Sequence, residues 1–131
     1  MAKLFESIRV RDLEVRNRIW VAPMCQYSAE DQDGMPTEWH LVHYGARATG
    51  GAGMVIVEAT AVNPAGRISA WDTGIWNEEQ EDGWAYIVDF MHSQGAAAGV
   101  QLAHAGRKAS VYREWSGHGT VPVTDGGWQT V

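Results

Sequence analysis

Apolar runs of two lengths alternate along the chain. MVIVEA, Met54 to Ala59, is continuous apart from Glu58, the pattern of a strand covered on both faces in a parallel sheet. RIWVA, Arg18 to Ala22, is closed by Pro23 and is too short for a helical period, so it predicts an earlier strand. AGVQLA, Ala98 to Ala103, predicts a later one and places Gln101 inside it. Between the first two runs, Thr37 follows Pro36 and can cap a helix reaching Thr49, with a loose stripe of Trp39, Val42, Ala46 and Ala48 before Gly50-Gly51. Between the second and third, Asn77 and Gln80 suggest a capping box. Trp84, Ile87, Val88 and Met91 then recur at helical spacing until Gly95.

Ahead of these lie Ile8 and Val10, then Leu13 and Val15, around Arg11-Asp12, which predict a small hairpin. From Ser110 to Val131 no period emerges. Hairpin, β, α, β, α, β is the order of parallel strands joined by right-handed crossovers, hence an α/β fold. Three such strands leave an open sheet edge and call for cover from elsewhere.

Charge and composition narrow the function. Ten basic against sixteen acidic residues give a net charge of -6, the wrong sign for a phosphate-backbone binder, so no nucleic-acid partner is expected. Lys3, Glu6, Arg9 and Arg11 break up the N-terminal apolar positions as no signal peptide would, and no apolar segment approaches the roughly 20 residues of a membrane span. No membrane partner is therefore expected. A single cysteine, Cys25, suits a reducing compartment and a cytoplasmic location.

Each predicted strand ends in residues with chemistry to offer: Pro23-Met24-Cys25-Gln26-Tyr27, Ala59-Thr60, and His104-Ala105-Gly106-Arg107-Lys108. The C-terminal ends of parallel strands are where such folds build ligand sites. Cys25 reads either as a small buried hydrophobe or as a polarisable sulfur beside a cofactor. Tyr27 reads as a core aromatic or as a phenol donor to a ligand carbonyl. Gln101 would need a partner if buried and could offer donor and acceptor to a heterocycle edge. Lys108 and Arg107 are surface charges by default. His40 and His43 sit one helical turn apart without the order of a metalloprotease motif, so no metal is expected. Gly50, Gly51 and Gly53 precede a strand and look like a helix stop rather than a phosphate loop.

PMCQYS, VEATAVNPAGRIS and QLAHAGRKA, in that order, resemble the Old Yellow Enzyme family, specifically its bacterial thermophilic-like class, over about residues 4 to 110. The resemblance implies a TIM (β/α)8 barrel of which these residues supply the N-terminal hairpin and the first three strands. It implies FMN as cofactor and NAD(P)H as reductant, with flavin N5 delivering hydride to the β-carbon of an activated alkene, the small-molecule partner. Carried over by motif, Ala22, Pro23 and Met24 flank the isoalloxazine, Cys25 sits beside flavin and substrate, Ala59 contacts the polar edge and Gln101 the pyrimidine portion. Tyr27 holds the substrate carbonyl, and Lys108 lies on the substrate side. Such a barrel takes about 250 residues, so residues 1 to 131 are expected to form the N-terminal part of one flavin-binding domain. The remaining strands, with the proton donor and the carbonyl-binding pair, would come from a complementary chain of a split or cleaved barrel, itself a homo-oligomer. The alternative is a non-catalytic barrel fragment that forms an oligomeric scaffold.

Overall fold

The computed structural model describes residues 2–130; Met1 and Val131, the ends of two stretches read above, lie outside the described residues. Strands β1 (Ile8–Val10) and β2 (Leu13–Val15) form an antiparallel hairpin in the register Ile8 to Val15. Arg11 turns the chain with a φ of 53°. A second sheet holds β3 (Trp20–Val21), β4 (Met54–Ala61) and β5 (Ala97–Ala103), all parallel and in that spatial order. Helices α1 (Glu38–Thr49) and α2 (Glu78–Ser93) are the crossovers.

The core lies between those helices and β4. Trp84, Ile87 and Met91 of α2 meet Val55 and Val57 of β4, with Tyr44 and Ala48 from α1 and Val88 packed against them. Asn77 caps α2 by accepting the Gln80 N–H at 2.8 Å. The buried Gln80 side chain does not return to Asn77, as a capping box requires. Its Oε1 accepts the Trp76 N–H at 2.8 Å and its Nε2 donates to the Asp33 carbonyl at 2.9 Å, tying the approach to α2 to an earlier loop.

Three expectations need correcting. First, the inner face of α1 is not the Trp39, Val42, Ala46 and Ala48 stripe. Trp39 and Val42 are exposed, and the buried residues are His40, His43, Tyr44, Gly45 and Ala48. A carboxylate on β4, Glu58, accepts from the Tyr44 hydroxyl and faces His40 at 3.1 Å, which offsets part of the cost of burying those rings. Second, the first strand shrinks from Arg18–Ala22 to Trp20–Val21, the residues in register with Met54 and Val55 of β4. Third, Gln101 is exposed rather than buried, because nothing described covers β5 beyond Val100.

β4 carries an irregularity that matters below. Val57 pairs with Val100 but Ala59 pairs with Gln101, so Glu58 is an extra residue, a β-bulge. Bulges re-aim side chains, and this one turns Glu58 toward α1 while Ala59 and Gln101 share a sheet face.

Candidate active site at the strand ends

After β3 the chain runs from Ala22 to Ser28 without regular structure. Ala22 and Met24 are exposed, whereas Pro23, Cys25, Gln26 and Tyr27 are partly buried. Burial first, then the nearby carboxylates of Asp72 and Glu58, push the Cys25 thiol above its ordinary value of 9.0, against the pull of the Ala59 N–H and the Tyr27 hydroxyl. Cys25 is therefore a thiol at neutral pH rather than a thiolate nucleophile. Tyr27 is also pushed up, by burial and then by Cys25 and Asp72, so its phenol keeps its proton and remains a donor.

The Tyr27 backbone is strained, with a φ of 52°, uncommon for a residue with a side chain. Its carbonyl accepts from Arg113 at 3.3 Å, and Arg113 also pairs with Glu30 at 3.0 Å and lies over the rings of Trp71 and Trp115. Trp115 meets the Tyr27 ring edge-on at 6.2 Å. The irregular tail thus reaches back to brace the first strand's loop.

Beneath this loop is a buried polar network. Glu58 Oε2 accepts the Gln26 N–H at 2.8 Å, and Oε1 accepts the Tyr44 hydroxyl at 3.0 Å. That hydroxyl in turn accepts the Glu58 N–H at 3.0 Å. His40 Nδ1 accepts the Thr37 N–H at 2.9 Å, which assigns the ring proton to Nε2. Nε2 stands 3.1 Å from Glu58 Oε1, although its N–H is not aligned for a full hydrogen bond, so the contact is mainly electrostatic. A second buried carboxylate, Asp72, accepts from Ile68 N, Ser69 N and Ser69 Oγ at 2.7 to 3.0 Å. Burial raises its pKa despite those donors.

Residues 3–126 match the NADH:flavin oxidoreductase / NADH oxidase family. The chain belongs to it. Within that family it is the N-terminal part of an Old Yellow Enzyme relative. An NADPH dehydrogenase of Listeria welshimeri is 54% identical over 109 residues, 83% of this chain and 32% of the relative. A morphinone reductase in complex with tetrahydroNAD superposes with a TM-score of 0.75 at 33% identity, covering 84% of this chain and 29% of that one. The old yellow enzyme from Trypanosoma cruzi gives 0.72 at 32% identity, over 82% and 28% of the two chains. The chain spans about a third of the length of the relatives it matches. These neighbours are TIM barrels, and the α/β unit described here corresponds to their first part.

The donor set of this Old Yellow Enzyme relative suits a flavin. Ala59 lies between Cys25, whose sulfur its N–H faces, and Gln101, with which it is in register. Residues on or just after three successive strands, a thiol, a backbone amide and a side-chain amide, thus stand side by side across the sheet. The Gln101 side chain makes no hydrogen bond among the described residues, leaving donor and acceptor free for a heterocycle edge. Lys108 stands apart, exposed on the single turn Gly106–Lys108 with no side-chain partner described. His104 Nδ1 accepts the Gly106 N–H at 3.1 Å, a local structural role, and Arg107 is exposed. Among the described residues, no three His, Cys, Asp or Glu side chains are grouped to hold a metal.

Sequence reasoning missed Glu58, Tyr44, Asp72 and Arg113, and weighed His40 as a metal ligand only to set that aside, without finding its carboxylate neighbour. One signal was available: a carboxylate in the middle of MVIVEA can be buried there only if donors from elsewhere reach it.

Proposed function

We propose that this chain forms the flavin-facing first part of an FMN-dependent, NAD(P)H-driven ene-reductase that acts on α,β-unsaturated carbonyl compounds in the cytoplasm. One observation supports the reading: Cys25 lies by the Ala59 N–H, and Ala59 is in register with Gln101 on the next strand. FMN, when bound, would accept hydride from NAD(P)H and pass it to the alkene, which with one proton gives the saturated carbonyl and NAD(P)+.

This chain's own residues bind and orient. The backbone of Ala22, Pro23 and Met24 would flank the ring system, Ala59 would meet its polar edge and Gln101 would pair with its pyrimidine portion. Cys25 presents a protonated sulfur beside it. Tyr27, kept a phenol, donates to the substrate carbonyl oxygen and draws electron density from the β-carbon, while Lys108 adds positive charge on the substrate side. The proton donor and the remaining barrel strands come from further polypeptide, which completes the domain and its oligomer.

Native mass spectrometry of the purified assembly, with its visible spectrum, tests this. FMN bound to a completed barrel, with NAD(P)H oxidation dependent on an activated alkene, is the expected result. Copies of this chain alone without flavin would overturn it in favour of a scaffold.

A further inference from the structure

We infer that Glu58 is the positioning residue that sets where Cys25 and Tyr27 stand, by gripping the peptide N–H between them. The inference rests on the site reading above.

The grip is specific. Among the residues of the loop after β3, the Gln26 N–H is the one bonded to a buried side chain, Glu58 Oε2 at 2.8 Å. Gln26 is also held through its side chain: its Oε1 accepts from Trp39 Nε1 at 3.1 Å and its Nε2 donates to the Met24 carbonyl at 2.8 Å. With Gln26 pulled toward α1, its neighbours Cys25 and Tyr27 turn toward the strand ends, where the thiol meets the Ala59 N–H and the phenol. Left alone, Tyr27 would relax from its positive φ. Glu58 restrains the chain on one side of it and Arg113, at the Tyr27 carbonyl, on the other.

The carboxylate itself has no freedom to move. It is fully buried, and Oε1 is fixed by the Tyr44 hydroxyl, which is locked by the Glu58 N–H. His40 faces the same oxygen, its tautomer set by Thr37. The bulge is what aims Glu58 at this cluster, so the sheet gives up one ladder position to place the carboxylate under the loop.

Glu58→Gln keeps the shape and spoils the chemistry. If the amide oxygen faces the Gln26 N–H, the NH2 group meets the His40 Nε2 proton; if it is flipped, two N–H groups meet at Gln26. In the completed, FMN-loaded protein, maleimide labelling of Cys25, followed on its peptide by mass spectrometry, should become about tenfold faster in Glu58→Gln, as for loss of a charge-assisted hydrogen bond. The faster rate should be insensitive to low urea, the mark of a local opening. The midpoint potential of the bound flavin should shift in the same direction as in Cys25→Ala. Labelling within about twofold of wild type in folded Glu58→Gln, or acceleration only as urea promotes global unfolding, overturns the proposal. Should Glu58→Gln fail to fold, Tyr44→Phe removes one support of the same carboxylate. It should accelerate labelling less, and an unchanged rate would refute the grip. The labelling comparison runs equally on flavin-free protein, so a wild type that binds no FMN defeats the ene-reductase reading and leaves this one to be decided on its own.

Discussion

Arg16, at the opposite end of the sheet from the strand mouths, offers a demanding test of how the scaffold is held. Its guanidinium donates from NH1 to the Gln94 carbonyl at 2.7 Å, from NH2 to Ala48 at 3.0 Å and Ala52 at 2.8 Å, and from Nε to Ala52 at 3.2 Å. Ala48 lies in the last turn of α1 and Gln94 caps α2, so one cation closes the carbonyl ends of both helices and ties the hairpin to them. A charge-assisted hydrogen bond contributes about 1.5–3 kcal/mol when sheltered, but Arg16 is largely exposed, so about 0.5–1 kcal/mol each is the better figure. Four bonds, with about 0.3–1 kcal/mol from each helix dipole, less about 1.5–2 kcal/mol for ordering the side chain, leave roughly 2 kcal/mol. Arg16→Ala should cost about that much in urea unfolding of the completed protein at unchanged m-value. Arg16→Lys should recover less than half, because an ammonium cannot reproduce the fork. Arg9→Ala, on an exposed residue without a side-chain partner, is the control. FMN affinity should not move, since stability at the strand N-termini is separable from chemistry at the C-termini. A loss below about 0.5 kcal/mol for Arg16→Ala would refute this accounting.

Three further outcomes are expected. Gly74→Ala would set a Cβ 2.0 Å from Trp76 Cζ3, so the ring must move at a cost of about 1–3 kcal/mol, read as a lower Tm and an altered near-ultraviolet circular dichroism. Burial, then Arg47, lowers the His43 pKa below its ordinary 6.5; its contribution is full above that value and falls away below it, where the unfolded chain takes up the proton and the folded one does not. His43→Gln should flatten the acid side of the stability profile, measured as urea midpoints against pH. Cys25→Ala should keep the fold while shifting the flavin potential and changing substrate KM by about two- to fivefold, the scale of one weak contact; no change in either would remove Cys25 from the site.

How much of this could be read from the sequence depends on which force set each element. The α2 stripe of Trp84, Ile87, Val88 and Met91 was legible because burial there is purely apolar, and helical spacing records it directly. The α1 face was not, because His40 and Tyr44 are buried against Glu58, a partner fourteen or more residues away that no local period encodes. β4 and β5 were found within a residue or two of their ends, whereas β3 was overestimated because its length depends on pairing with β4. Cys25, Tyr27 and Ala59 stood out as chemistry at strand ends. The bulge that brings them together did not, since MVIVEATA looks the same with or without a register shift.

The outer side of β5 has a consequence for the life of the chain. Val100 and Leu102 are exposed there, and beside them Val57, Ile75, Trp84, Val88 and Ala98 line an apolar trough of about 220 Å³. On that edge β5 has no ladder partner among the described residues, and a strand so placed with apolar flanks will pair with whatever extended peptide arrives first. During synthesis that is a race between the proper neighbouring strand and strangers, so the yield of this protein should depend on temperature, concentration and chaperone supply more steeply than its final stability suggests.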